Sequence, residues 1–429
     1  MKNVEVQKIR SLVSRMQTDL KRLLQELVRT NSVATPPEGN ETTAQRILLA
    51  FFRAHGVRAE LYPTEFIKHS GNAVVKKDRV YRKRPNLCVR LSGNGRGKTL
   101  LLNGHMDTVP AGKANWSRSP WSGAYVNGNV HGLGSFDMKG GIVANAAAIC
   151  VLKEAGITTG GDVIFESVID EEWGGGGGSL AARLRDGGAD ACVIPEGTQL
   201  EIYRATRGGF VVDLHAQAGD PSNYFSTSEV LSPAIPLGRL LGWVDGLARD
   251  RARIRPTGAY AKFANAAPVQ VLAVQANAFD RDVPLSVPSE AALRLYIQFL
   301  PEEDVDAVIG DIEKSLRRFE SDDPFFSKHP IAWHPFIQPP LHGHELAEDH
   351  PWTQCMVGAA SVVLGRVPVV TGAPYPCDAG LIHREFGIPT LLFGPCGAGA
   401  HNPNEYVTVQ SVLDTATVLT AAALEWTNG

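Results

Sequence analysis

Thr99-Leu100-Leu101-Leu102-Asn103-Gly104-His105-Met106-Asp107 is a short apolar run that ends in a polar turn. The design recurs along the chain. Val163-Ile164-Phe165 and Val168-Ile169 lead into Asp170-Glu171-Glu172, Cys192-Val193-Ile194 into Pro195-Glu196-Gly197, and Pro389-Thr390-Leu391-Leu392-Phe393 into Gly394-Pro395. Continuous apolar runs bounded by turns read as strands buried on both faces, the pattern of a parallel sheet. Helical segments at 142–154 and 179–185 lie between them. Alternating strands and helices predict an α/β layered domain. His105, Glu171, Glu172 and Glu196 each fall at the C-terminal end of such a strand. Open α/β sheets bind ligands along that edge, so these chain-distant side chains are predicted to converge on one rim.

Outward from this core the pattern changes. Residues 16–55 are helical in spacing, with Leu20, Leu23, Leu24 and Leu27 on one face and Ile47, Leu48, Phe51 and Phe52 repeating it after a break at Pro36-Pro37-Glu38-Gly39. From 209 to 321 the order is strand (210–214), helix (235–247), two strands (269–274 and 291–299) and helix (305–319), a compact α+β unit with antiparallel pairing. The parallel pattern resumes with a helix at 352–364. The reading is therefore a catalytic domain, 1–208 and 322–429, interrupted by an inserted domain at 209–321.

A chain of 429 residues exceeds one ordinary core, which agrees with two domains. The apolar fraction of 44% and charged fraction of 20% are those of a globular protein. A net charge of −3 favours neither a nucleic-acid nor an anionic-membrane partner. The basic run Lys76 to Arg84 reads as a solvated loop or hairpin. The six cysteines form no C-x-x-C pair, so they read as reduced, buried thiols of a cytoplasmic protein. Met1 to Asp19 has no apolar signal core, and no window reads as a membrane span.

Five stretches carry chemistry. In Gly104-His105-Met106-Asp107-Thr108-Val109-Pro110, His105 and Asp107 point the same way from a strand end. Asp107 is placed to take the ring N–H of a metal-ligating imidazole. Asp137, in Gly134-Ser135-Phe136-Asp137-Met138-Lys139-Gly140-Gly141, reads as a metal bridge or as a helix N-cap. Asp170-Glu171-Glu172 reads as a cluster needing a cation between its acids, or as an acidic helix start. Glu196 and His401 are each an ordinary turn residue if taken alone. Together, two histidines and three carboxylates fit a pair of divalent ions sharing one carboxylate, with one further Glu beside them.

These motifs, in this order and over nearly the whole chain, resemble the two-metal aminoacylase, acetylornithine deacetylase and succinyl-diaminopimelate desuccinylase family of metallopeptidases. The resemblance implies a zinc-hydrolase catalytic domain with an inserted ferredoxin-like lid through which two copies dimerise. It implies His105, Asp137, Glu172, Glu196 and His401 as ligands of two divalent ions, with Asp137 bridging and single occupancy as an alternative. Zinc comes first, with cobalt or manganese as alternatives. It implies Glu171 as general base, Asp107 as the partner of His105, and Asp378 as a residue lining the cleft. The implied substrate is a small amide such as an N-acylated amino acid. Dipeptides, atypical aromatic amides and a non-catalytic binding role are rivals. The sequence departs from the family in the lid, where Asp220, Ser286 and Gln298 stand at the positions expected to hold a His, an Asn and a carboxylate-binding Arg.

Overall fold

Leu100–His105 is a fully buried strand inside a nine-stranded sheet. A computed structural model describes residues 3–218, 222–223, 230–277, 286–336 and 339–429. The chain divides into two units, one of Met1–Thr206, His344–Ala373 and Cys377–Gly429, the other of Arg207–Gly343 and Pro374–Pro376.

In the first unit the strands run in the order His344–Glu345, Ile202–Thr206, Thr390–Leu392, Ala191–Ile194, Leu100–His105, Val163–Val168, Asn86–Leu91 and Ala59–Tyr62, with Val370–Gly372 beside Ile202–Thr206. The sheet is mixed. Its four middle strands, Thr390–Leu392 to Val163–Val168, are parallel. Antiparallel strands flank them on both sides. Leu100, Leu101, Leu102, Val163, Ile164 and Val193 are wholly buried, at roughly 1.5–3 kcal/mol for each large apolar side chain removed from water. That packing fixes the strand ends, and with them the rim on which the polar residues stand.

The helix Gly140–Glu154 is buried almost all round and packs in one core with Asn3–Arg29, Pro351–Leu364 and Val409–Asn428. By composition alone Ser135–Glu154 is apolar enough to cross a membrane, contrary to the sequence reading, but 94% of that window is buried within the protein. It is a core helix. The first helix also starts earlier than its leucines suggested. Val6, Ile9, Leu12, Val13 and Met16 are buried, and the helix runs from Asn3.

The second unit is a four-stranded antiparallel sheet in the order Val269–Gln275, Glu290–Phe299, Gly208–Gln217, Ala332–Pro335. Helices Pro236–Ala252 and Val305–Asp322 share its apolar core. Asp304 caps the latter by accepting from the Ala307 N–H at 3.1 Å. The unit extends past 321 to Gly343 because Ala332–Pro335 pairs with Gly208–Gln217, from His215 opposite Ala332 to Val212 opposite Pro335. Trp333 stacks there on Phe210 at 5.9 Å.

Candidate active site

His105 ends its strand and points into the rim. Its Nδ1 lies 2.9 Å from the main-chain oxygen of Asp107. A carbonyl only accepts, so Nδ1 carries a proton and Nε2 is the ring nitrogen that faces inward. The Asp107 carboxylate is farther off, at 3.7 Å. It accepts instead from the N–H groups of Glu171 and Glu172, at 3.2 Å each. Asp107 therefore grips both strand ends: its carbonyl orients His105, and its carboxylate orients the paired acids.

Asp170 precedes those acids in a left-handed conformation, φ 67°. It is buried and paired at 3.3 Å with both Arg79 and Arg84. Arg84 also binds the buried Glu41. The basic run is thus not a solvated loop: Arg79, Tyr81 and Arg84 are buried, and the two guanidinium groups neutralise carboxylates beneath the rim. The glycine tract that follows is a matter of space. A side chain at Gly175 (φ +73°) would meet Asp378 Oδ1, and one at Gly177 would meet the ring of Tyr81.

Asp137 stands in the loop before Gly140–Glu154, across from His105. Its Oδ1 is 3.1 Å from His105 Nε2, and its Oδ2 is 3.2 Å from His401 Nε2. Glu196 Oε1 is 3.5 Å from His105 Nε2, and Glu172 Oε2 is 3.1 Å from His401 Nε2. The donor atoms therefore fall into two halves, His105 with Glu196 and His401 with Glu172, and each half faces one oxygen of Asp137. Glu171 Oε2 is 3.9 Å from His105 Nε2, and its Oε1 accepts from the Asp378 N–H at 3.2 Å. All seven rim residues read from the sequence as ligands or catalytic residues come together, with Asp378 beside them.

The electrostatics are those of crowded buried acids. Burial, then the nearby Asp378, Glu172 and Glu196, hold the Glu171 carboxyl well above its usual range. Burial and Asp137 push Glu196 up to about 7. Burial also takes Asp378 to about 7. Glu172 is foremost in raising His401 to about 12. Burial works against a charge on His105, yet Glu171, Asp137 and Glu196 raise it well above its ordinary value. Five carboxylates crowded against two imidazoles, His105 buried and His401 half-exposed at the rim, are a donor set that calls for added positive charge.

Two supports escaped the sequence reading. Glu405 is buried and accepts three main-chain N–H groups of the Asp137 loop; its signal was an acid placed directly before the strand Tyr406–Thr408. Lys139, also buried, donates to the oxygens of Leu27 and Thr30 at 3.0 and 3.2 Å, which caps the first helix. The substrate-side positions fare differently. Asp220 lies outside the described residues. Ser286 belongs to a two-residue strand paired with Ser222–Asn223. Gln298 is buried in the second unit, where its Oε1 accepts from Arg207 at 2.7 Å. Trp173 is held by a hydrogen bond from its ring N–H to the Ala34 oxygen at 2.9 Å, and the Arg79 guanidinium lies 5.0 Å from its ring. A second cluster of metal-ligand atoms, Cys88, Glu166 and Asp186, already holds the buried Arg183 guanidinium against Glu166.

Comparison with known proteins places the chain in a family. Residues 101–425 match the family model described as peptidase family M20/M25/M40. The N-formyl-4-amino-5-aminomethyl-2-methylpyrimidine deformylase of Halalkalibacterium halodurans is 23% identical over 98% of this chain and 97% of its own length. The acetylornithine deacetylase of Klebsiella pneumoniae is 24% identical over 91% of this chain and 93% of its own. Human carnosine dipeptidase 1 shares the fold, with a TM-score of 0.76 at 17% identity over 98% of each chain. The chain belongs to peptidase family M20/M25/M40, and its reaction is hydrolysis of an amide C–N bond.

Proposed function

We propose that the protein is a two-cation deacylase of a small amide, with His105, Asp137, Glu172, Glu196 and His401 as ligands and Glu171 as the proton carrier. The observation that carries this reading is the division of the donors into two halves about the two oxygens of Asp137. The donor set fits the ions: two imidazoles with carboxylates suit zinc, and cobalt or manganese by the same chemistry. When bound, the cations supply polarisation of the scissile carbonyl and acidification of water. The chain supplies the rest. With Glu171 Oε1 held by the Asp378 N–H, Oε2 receives the proton of the attacking water. As the water oxygen bonds to the carbonyl carbon, that proton passes on to the leaving nitrogen and the C–N bond breaks. Asp107 holds Glu171 and His105 in register for this transfer, and Asp378 lines the base's outer side.

A second reading of the substrate has its own support. The position that resemblance would give to the carboxylate-binding Arg holds Gln298, and that expected to hold an Asn holds Ser286; the Gln298 oxygen is taken by Arg207. A relative matching 98% of the chain is named as a deformylase of an aminopyrimidine. An N-formyl or N-acyl aromatic amine without a carboxylate agrees with both observations. Turnover on a panel of N-formyl aminomethylpyrimidines, N-acetyl amino acids and dipeptides, with and without chelation, tests the function. Loss of rate on chelation and its return with added Zn²⁺ or Co²⁺ is expected. A rate on none of the amides, or one indifferent to chelation, contradicts it.

The second unit serves, in this proposal, as a lid and a dimer surface. Val269–Gln275 is an edge strand with Val271, Leu272 and Val274 exposed, a form that invites pairing with a second copy. Sedimentation showing a monomer at micromolar concentration would refute the dimer. The six cysteines are unpaired, which supports a cytoplasmic location.

A further inference from the structure

Glu405 links two ligand-bearing loops. Its Oε2 accepts from Gly134 N at 2.7 Å, and its Oε1 accepts from Phe136 N and Asp137 N at 2.7 and 3.0 Å. Its own main-chain oxygen accepts from Gly132 N at 2.9 Å. The loop that presents Asp137 is therefore folded around this carboxylate. Glu405 lies in the same turn as His401, and Asn404 pins that turn by accepting from Ser117 N at 2.8 Å. Asp137 and His401 meet at 3.2 Å, so one residue serves both sides of that contact: its side chain holds the Asp137 loop, and its main chain continues the His401 turn. The other half shares Asp137 Oδ1 with this loop, but its own two donors are held elsewhere: His105 by its strand and the Asp107 carbonyl, Glu196 by the turn after Ala191–Ile194.

We propose that Glu405 is a positioning residue that sets cation affinity in the His401–Glu172 half of the site. The assignment rests on the two-cation reading above. Glu405→Gln has nearly the same shape but keeps one oxygen. Either Gly134 N, or Phe136 N and Asp137 N, must then face an NH₂ group, and the loop gives way where it carries Asp137 towards His401.

The test is competition for Zn²⁺ between the zinc-loaded protein and a chromophoric chelator. The parent is expected to yield two cations in two steps. In Glu405→Gln one of the two steps shifts by roughly 10–100-fold and the other far less, the size of effect that removing an outer partner of a metal ligand has. Turnover is expected to return at high Zn²⁺. A structural role alone would lower the unfolding temperature without moving one step selectively. Glu405→Asp, which keeps both oxygens on a shorter stem, is expected to give the same selective shift at smaller size, and it decides the matter where the Gln variant does not fold. A folded variant with both steps unchanged, or both moved equally, overturns the assignment alone. A parent that yields fewer than two cations overturns the two-cation reading and this assignment with it.

Discussion

The rim of the first unit and the sheet of the inserted unit use their polar side chains in opposite ways. On the rim, every polar side chain singled out from the sequence stands within reach of another: His105, Glu171, Glu172 and Glu196 follow buried parallel strands, and the Asp137 loop is tied through Glu405 to the turn of His401. In the inserted unit the polar position that is fully described, Gln298, faces Arg207 rather than open space. The difference teaches where sequence position translates into chemistry. A parallel sheet places its strand ends by backbone pairing, so a residue's place in the chain fixes its place in the site. The antiparallel sheet places Gln298 as firmly, opposite Gly209, but where a buried guanidinium takes its oxygen.

That comparison can be broken from either side. The largest stability effect is expected beneath the rim. Arg84→Met leaves Glu41 and Asp170 as buried acids without their shared cation, a loss of roughly 3–5 kcal/mol. Denaturant unfolding measures it, and a cost below about 1 kcal/mol, the range of exposed pairs, would mean that the basic run is as solvated as its sequence suggested. A smaller effect is expected in the inserted unit. Gln298→Ala removes an acceptor from the buried Arg207, at about 1–3 kcal/mol, and KM for the amide substrate is expected to hold. A raised KM with unchanged stability would make Gln298 a substrate contact and erase the contrast between the units.

Much of this was legible in the sequence. The apolar runs at 100–102, 163–165 and 192–194 became buried strands, and both helices of the inserted unit lie where their spacing put them. What was not legible depended on long-range partners. Arg79 and Arg84 look like surface charges until Glu41 and Asp170 are brought beside them. Glu405 looks like a turn acid until the Asp137 loop closes on it. The end of the inserted unit was missed because Ala332–Pro335 is too short to read as a strand without its partner Gly208–Gln217. The amphipathic stripe before Met16 was diluted by charges that lie on the helix's outer face.

The central claim is that Glu171 moves the proton while the residues around it hold the cations. Glu171→Gln keeps the shape and the contact with the Asp378 N–H but cannot accept a proton from water. Single-turnover kinetics on the best substrate of the amide panel, beside a measurement of bound zinc, tests this directly. The expected result is a variant that folds and holds cations like the parent and turns over about 10²–10⁴-fold more slowly. A rate close to the parent's at equal cation content would contradict the account.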